Sequence, residues 1–131
     1  MAVILLADDD PLLRSTMQKI LTKVGHQVIE AGTGIDAELA FGKNAIDLLI
    51  TDIIMPDKEG LALVRDLKKR APDLRVIAMS GGGRAGAFTL LEVATQFGAN
   101  VVLKKPFRVS ELINAVEATF RGEGATPPAQ G

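Results

Sequence analysis

The segment LLITDIIMPDKEG, residues 48–60, places the carboxylate of Asp52 in an otherwise apolar run. A buried carboxylate without a partner costs several kcal/mol, so Asp52 must either meet polar groups or stay protonated. The run LLIT before it has the length and apolar character of a buried strand. We therefore predict a strand over residues 48–51 that ends at Asp52 and presents this carboxylate to a polar cleft.

Short apolar runs of the same kind recur along the chain, and a segment of helical period follows each of them. Strands are predicted at residues 3–7, 27–31, 48–51, 74–79 and 101–103. Pro11 suits the first turn of a helix, with Asp9 or Asp10 as its N-cap. The fourth helix is predicted around residues 88–98 and the last around residues 112–120. Five successive strand–helix units are typical of an α/β fold in which helices cover both faces of a parallel sheet.

The composition bounds the size and the class of the protein. The chain has 131 residues, a net charge of −1 and no cysteine. We expect one domain over residues 1–121 and a flexible tail, or the start of a linker, over residues 122–131. The lack of cysteine excludes disulfides and thiolate metal sites. The charge offers no bulk attraction to nucleic acid, and no apolar run approaches the roughly 18 residues that span a membrane, so a cytoplasmic location is expected.

Polar side chains gather where the predicted strands end. Since the carboxyl ends of parallel strands form one edge of a sheet, these side chains are expected to converge there. They are Asp8, Asp9 and Asp10 after the first strand, Asp52 after the third, Ser80 after the fourth, and Lys104 and Lys105 after the fifth. Clustered carboxylates repel one another, and Mg²⁺ or Mn²⁺ relieves that repulsion through oxygen ligands alone. A metal and an ammonium can also hold phosphoryl oxygens while Asp52 attacks phosphorus as a nucleophile.

Four segments carry these side chains in order. They are VILLADDDPLLR at residues 3–14, DLLITDIIMPDKEGL at 47–61, VIAMSG at 76–81 and KKPF at 104–107. Together they resemble the motifs of the receiver domain of two-component response regulators, over residues 2 to 121. The resemblance implies a doubly wound, flavodoxin-like sheet of five strands in the order 2-1-3-4-5. It also implies a signalling module that catalyses only its own phosphorylation and dephosphorylation, rather than an enzyme that turns over external substrates.

The resemblance assigns a role to each polar residue at the predicted edge. Asp52 matches the phosphoacceptor, and Ser80 and Lys105 match the hydroxyl and the lysine that contact the phosphoryl group. The metal would be Mg²⁺, bound directly by Asp52 and by two further ligands. These ligands are the carboxylate of Asp9 and the backbone carbonyl of Ile54. Asp8 would lie near the ion without binding it directly. Lys104 is expected to face solvent, and Asp10 to cap the first helix.

The resemblance also implies the partners. The phosphoryl donor would be a phosphohistidine on a sensor histidine kinase or on a histidine phosphotransfer protein. Phosphorylation would then switch the binding of a downstream protein. The resemblance makes the face formed by the fourth helix, the fifth strand and the last helix a candidate surface for a homodimer or for a partner protein. Neither nucleic acid nor membrane is expected to be bound by this chain directly.

Three positions depart from the family pattern. Val102 lies three residues before Lys105, where the family often has an aromatic residue, so the usual rotamer switch is not available. Ile54 and Gly82 flank the phosphoryl site without a side chain that orients water, which predicts slow self-dephosphorylation. The segment GGGRAG at residues 81–86 matches a dinucleotide-binding pattern, but it lacks the acidic residue about 20 positions later. We instead predict that this glycine-rich loop becomes ordered on phosphorylation.

Two other functions remain open from the residues alone. One is a phosphorylation-independent interaction module of the same fold. The other is an Mg²⁺-dependent aspartyl-phosphate hydrolase with Asp52 as its nucleophile. Such hydrolases usually have a second acid two residues after the nucleophile, where this chain has Ile54. The one histidine, His26, is predicted to be a solvated turn residue.

Overall fold

The fold was analysed in a computed structural model that describes residues 1–55, 57–81, 92 and 95–122. Helices and strands alternate along the chain. They are β1 (Val3–Ala7), α1 (Pro11–Lys23), β2 (Gln27–Ala31), α2 (Gly34–Lys43), β3 (Leu48–Asp52), α3 (Gly60–Arg70), β4 (Arg75–Ser80), β5 (Val101–Lys104) and α4 (Val109–Phe120). All paired strands are parallel, in the order β2-β1-β3-β4-β5. The predicted α/β fold and strand order are confirmed, whereas the helix predicted around residues 88–98 lies largely outside the described residues.

The strand ends differ from the prediction in one consistent way. β1 and β2 have the predicted bounds, but β3, β4 and β5 each extend by one residue at their carboxyl end. Their last residues are therefore Asp52, Ser80 and Lys104. Hydrophobic patterning stops at the last apolar side chain, but backbone pairing continues through the polar residue beyond it, since Asp52 pairs with Met79 and Ser80 with Lys104.

Both faces of the sheet are covered, and the two cores share no side chain. One core packs α2 and α3 against the sheet through alternate strand residues such as Leu5 and Leu49. The other packs α1 and α4 against the opposite face through Leu6 and Ile50. The central strand β3 is buried along its whole length, whereas β2 lies at an edge and exposes polar residues. Removing this much apolar surface from water is the main force that holds the site's strands in register.

Local signals fix the ends of α1. The Asp10 carboxylate accepts hydrogen bonds from the amides of Leu12 and Leu13, at 3.1 and 3.2 Å, so it is the N-cap that the sequence predicts. Pro11 occupies the first helical position, where no amide is needed. Beyond the helix, Gly25 has a φ of +102°, a conformation that glycine adopts without steric cost.

His26 is less solvated than predicted, although it lies in the predicted turn. Its ring is half-buried, its Nδ1 accepts a hydrogen bond from the Ala2 amide at 3.2 Å, and it stacks on Phe120 at 6.5 Å between ring centroids. The sequence places His26 correctly in the turn before β2 but gives no sign that Ala2 and α4 close over it. His26 therefore fastens the amino end of the sheet to α4.

The loop between β3 and α3, residues 53–59, returns tightly to the strand that it leaves. The Ile53 amide donates to the Met79 carbonyl at 2.9 Å, and the Gly60 amide donates to the Ile53 carbonyl at 2.8 Å. A Cβ on Gly60 would lie 1.8 Å from the Asp52 carbonyl oxygen. Only glycine allows α3 to begin this close to the end of β3.

No helix among the described residues has both the length and the apolar character needed to cross a membrane.

Candidate functional site

The carboxyl edge of the sheet brings the predicted acids together. β1 and β3 are neighbours, with Ala7 opposite Thr51, so the residues that follow them in register are Asp8 and Asp52. One carboxylate oxygen from each of Asp8, Asp9 and Asp52 lies within 4.8 Å of the others. Asp8 is fully buried and Asp52 nearly so, whereas Asp9 is exposed. The cluster is therefore closed on the side of the sheet and open on the side of solvent.

The ammonium of Lys105 bridges the two buried acids. Its Nζ donates to Asp8 Oδ2 at 2.8 Å and to Asp52 Oδ2 at 2.9 Å. The Lys105 amide donates to the Ser80 carbonyl at 2.7 Å, which fixes the start of this side chain against β4. Ser80 is itself 1% exposed at the end of β4. Lys104 points to solvent as predicted, so the two adjacent lysines have different environments.

The backbone and α1 hold Asp8 in place. Its Oδ1 accepts a hydrogen bond from the Asp10 amide at 2.9 Å, while its other oxygen accepts from Lys105. Arg14, on α1, donates from Nη1 to the Asp8 carbonyl at 2.7 Å and from Nε to Glu30 at 3.1 Å. Three hydrogen-bond donors therefore hold Asp8 in place, and no local sequence pattern predicts the one from Arg14.

Burial and the Lys105 ion pairs act in opposite directions on the ionisable groups of the site. Burial raises the pKa of Asp52 above its usual value, and the nearby Asp8 charge adds a smaller rise. The hydrogen bond and charge of Lys105, and the hydrogen bond from the Ile54 amide, oppose this shift. Burial alone would lower the pKa of Lys105, but its hydrogen bonds and charge interactions with Asp8 and Asp52 raise it. Both groups thus hold their protons more tightly than usual, Asp52 mainly because it is buried and Lys105 because two carboxylates bond to it.

The donor set fits a hard divalent cation. The three clustered acids supply only oxygen atoms, which Mg²⁺ prefers, and the exposed side of Asp9 leaves room for the water ligands that Mg²⁺ retains. A divalent charge would also favour the ionised form of Asp52, whose pKa is raised by burial and, to a smaller extent, by the Asp8 charge. Ile54 stands next to the cluster, because its amide interacts with the Asp52 carboxylate. That the Ile54 carbonyl oxygen binds the metal stays a prediction.

Sequence reasoning missed the ion pairs of one residue in the loop that carries Ile54. Lys58, in the loop between β3 and α3, is paired with Glu38 of α2 and Asp66 of α3. These partners lie 20 and 8 residues away, so no local pattern joins the three. Only the packing of α2 beside α3 brings the two acids to one lysine.

Comparison with known proteins gives the family. A family model described as the response regulator receiver domain matches residues 4–117. The chain belongs to this family of two-component signalling domains.

Individual relatives support the same assignment. The chain is 38% identical to the DNA-binding transcriptional regulator NtrC of Azospirillum brasilense over 98% of its own length, but it spans only 26% of that protein. It is 33% identical to the response regulator receiver protein CpdR of Brucella abortus, covering 87% of this chain and 92% of CpdR. The chain thus spans about a quarter of one curated relative and nearly all of another.

Solved structures agree in fold. The receiver domain of NtrX from Brucella abortus superposes with a TM-score of 0.84 at 31% identity, covering 90% of this chain and 98% of that one. The response regulator TrrA of Thermotoga maritima, solved in complex with Mg²⁺ and BeF, has a TM-score of 0.80 at 26% identity, covering 91% and 99%.

Proposed function

We propose that this receiver domain accepts a phosphoryl group on Asp52, with Ser80 and Lys105 contacting that group. The observation that carries the proposal is the Lys105 ammonium, which bridges the buried Asp8 and Asp52 carboxylates within an open acidic cluster. This ammonium lies 2.9 Å from Asp52 Oδ2 at the edge of the open cluster, which supports a role in contacting oxygens of a phosphoryl group on Asp52.

The reaction is a transfer between two side chains. A carboxylate oxygen of Asp52 forms a bond to phosphorus as the bond from phosphorus to the donor's imidazole nitrogen breaks, and the imidazole leaves with that electron pair. Phosphoryl transfer needs mainly positioning and charge stabilisation, and Lys105 supplies one positive charge to the oxygens. Mg²⁺, held by Asp9, Asp52 and the Ile54 carbonyl with Asp8 behind them, would supply further neutralising charge when bound. Hydrolysis of the acyl phosphate would end the signal.

The partners follow from the same chemistry. The donor is a phosphohistidine of a sensor histidine kinase or of a histidine phosphotransfer protein. The switched surface includes β5 and α4, through which a target or a second copy would bind. The chain catalyses only its own phosphorylation and dephosphorylation. Its domain bounds of 1–121, the tail over 122–131 and the cytoplasmic location stay predictions.

A phosphodonor assay tests the proposal. Incubation of the protein with Mg²⁺ and a small-molecule phosphodonor should give a single phosphoryl adduct, read by intact mass. Asp52→Asn should abolish the adduct. Asp57→Asn is the matched control, because Asp57 is exposed, lies in the adjoining loop and has a φ of +62° that asparagine tolerates. An adduct that persists in Asp52→Asn, or that is lost in Asp57→Asn, would overturn the assignment.

The same assay separates the alternatives. A phosphorylation-independent interaction module would form no adduct at all. An aspartyl-phosphate hydrolase would release phosphate repeatedly from external substrates, which Ile54 does not favour, because an apolar side chain cannot act as a general acid.

A further inference from the structure

The loop of residues 53–59 carries Ile54 beside the acidic cluster, and it is fixed at its two ends by backbone hydrogen bonds. The Ile53 amide bonds to the Met79 carbonyl at 2.9 Å, and the Gly60 amide bonds to the Ile53 carbonyl at 2.8 Å. Both bonds lie at the base of the loop. Ile53 and Met55, on either side of Ile54, are 2% and 4% exposed and pack in the core, so other contacts matter most for residues 57–59.

Lys58 supplies such contacts in the outer half of the loop. Its Nζ donates to Glu38 Oε2 on α2 at 3.1 Å and to Asp66 Oδ2 on α3. The three side chains are 20 to 31% exposed, so these ion pairs are partly shielded from water. Their hydrogen bonds raise the pKa of Lys58, Asp66 first and Glu38 second, and the ammonium stays charged at neutral pH.

The backbone of Lys58 also packs closely on α2. A Cβ on Gly34, the first residue of α2, would lie 2.5 Å from the Lys58 carbonyl oxygen and 2.6 Å from Lys58 Cβ. The side chain and the backbone of one loop residue thus contact both neighbouring helices. Asp57, just before it, adopts a φ of +62°, which turns the chain toward these contacts.

We propose that Lys58 is a positioning residue: with Glu38 and Asp66 it forms a clamp that orders the loop carrying Ile54 before the divalent cation binds. This proposal rests on the proposed function, because it takes Mg²⁺ at Asp9, Asp52 and the Ile54 carbonyl as the ligand. A loop that is already ordered loses less conformational entropy when the ion binds. The clamp therefore acts on cation affinity rather than on the transfer step.

Lys58→Met tests the clamp, since it keeps most of the aliphatic stem and removes the charge. Arg65→Met is the matched control: Arg65 donates to the same Asp66 carboxylate at 3.1 Å, but it lies on α3 and is exposed. Mg²⁺ is titrated into each unphosphorylated protein, and the amide NMR shifts of Ile53 and Ile54 give the dissociation constant. We expect Lys58→Met to raise this constant about fivefold, a typical effect for loss of partly shielded ion pairs, and Arg65→Met to change it less than about twofold.

Two further readouts distinguish positioning from a general loss of stability. The phosphorylation rate of Lys58→Met should fall at limiting Mg²⁺ and return to within about twofold of wild type at saturating Mg²⁺. Amide hydrogen exchange of residues 53–55 should become faster in Lys58→Met, but not in Arg65→Met. A second variant, Glu38→Gln with Asp66→Asn, leaves the loop sequence intact and should reproduce the weaker Mg²⁺ binding.

The outcomes separate this proposal from the function on which it rests. If Mg²⁺ affinity is unchanged in Lys58→Met while Asp52 still carries the adduct, the clamp is overturned and the function stands. An equal loss of affinity in Arg65→Met, or a lower rate that saturating Mg²⁺ does not restore, also overturns the clamp. If wild type binds no Mg²⁺, both proposals fail. If Asp52→Asn keeps its adduct but Lys58→Met binds Mg²⁺ more weakly, only the phosphoacceptor assignment fails.

Discussion

Two adjacent lysines near the carboxyl edge have opposite environments, although their side chains are chemically identical. Lys104 ends β5 and is exposed, whereas the Lys105 ammonium is bonded to both Asp8 and Asp52. The pair provides an internal control for the role of charge in the site, because one substitution removes the bridge and the other does not.

Lys105→Met should leave Asp8 and Asp52 buried without their cation. We expect the pKa of Asp52 to rise further, because the hydrogen bond and the charge that oppose the effect of burial are gone. The free energy of unfolding at neutral pH without metal should fall by about 3 kcal/mol, the lower end of the range for broken buried pairs, because the Lys105 side chain is partly exposed. Carboxyl carbon NMR and urea unfolding measure the two effects. An unchanged Asp52 titration, or an equal change in Lys104→Met, would contradict this prediction.

His26 predicts how stability depends on pH at the other end of the sheet. Burial and the positive N-terminus lower its pKa, while Glu117 opposes them, so the folded protein favours the neutral ring. Its contribution to stability is therefore present above the unfolded pKa, near 6.5, and is lost as the pH falls through the lower folded value. Protonation of Nδ1 would also break the hydrogen bond from the Ala2 amide.

Urea unfolding across this pH range is the measurement. Wild type should lose stability as the pH falls below about 6.5, and His26→Gln should lose less over the same interval, since glutamine does not titrate. Equal slopes for the two proteins would show that His26 is not the group responsible.

At the scale of elements, the junction of β3 and α3 depends on one glycine. Gly60→Ala would place a Cβ 1.8 Å from the Asp52 carbonyl oxygen, so the start of α3 must shift. We expect a loss of about 1–3 kcal/mol, the usual range for overpacking. Gly42→Ala is the control, because a Cβ there meets only the flexible Arg70 guanidinium, at 3.3 Å. It should be neutral or slightly stabilising, since alanine favours α2. Equal urea midpoints for the two variants would contradict the close contact.

The elements differ in how far the sequence determines them. β3 and Asp52 were predictable, because an apolar run that ends in an acid indicates a buried parallel strand with the acid at the edge of the sheet. The convergence of Asp8, Asp9, Asp52 and Lys105 was predictable for the same topological reason. The Lys58 ion pairs and the burial of His26 were not, because each depends on side chains from segments that only tertiary packing brings together.

The whole molecule consists of a sheet with two separate cores, one on the side of α2 and α3 and the other on the side of α1 and α4. The site lies at the edge where both layers end, so it receives residues from each. Arg14 of α1 reaches Asp8 from one layer, and Lys58 reaches α2 and α3 in the other. A change in α1 can therefore reach the acidic cluster directly through the contact of Arg14 with Asp8, whereas Lys58 joins α2 and α3 to the loop that carries Ile54.

Because the strands are parallel, the helices that follow them share one orientation and their dipoles align. Each of the four described helices starts near the carboxyl edge, because each follows a strand that ends there. A helix N-terminus carries about half a positive elementary charge, so the described helices turn their positive ends toward the same edge of the sheet as the acids. The chain has a net charge of only −1, but the dipoles of its helices share one direction, with their positive ends at the carboxyl edge of the sheet. The charged side chains in the sequence do not reveal this direction.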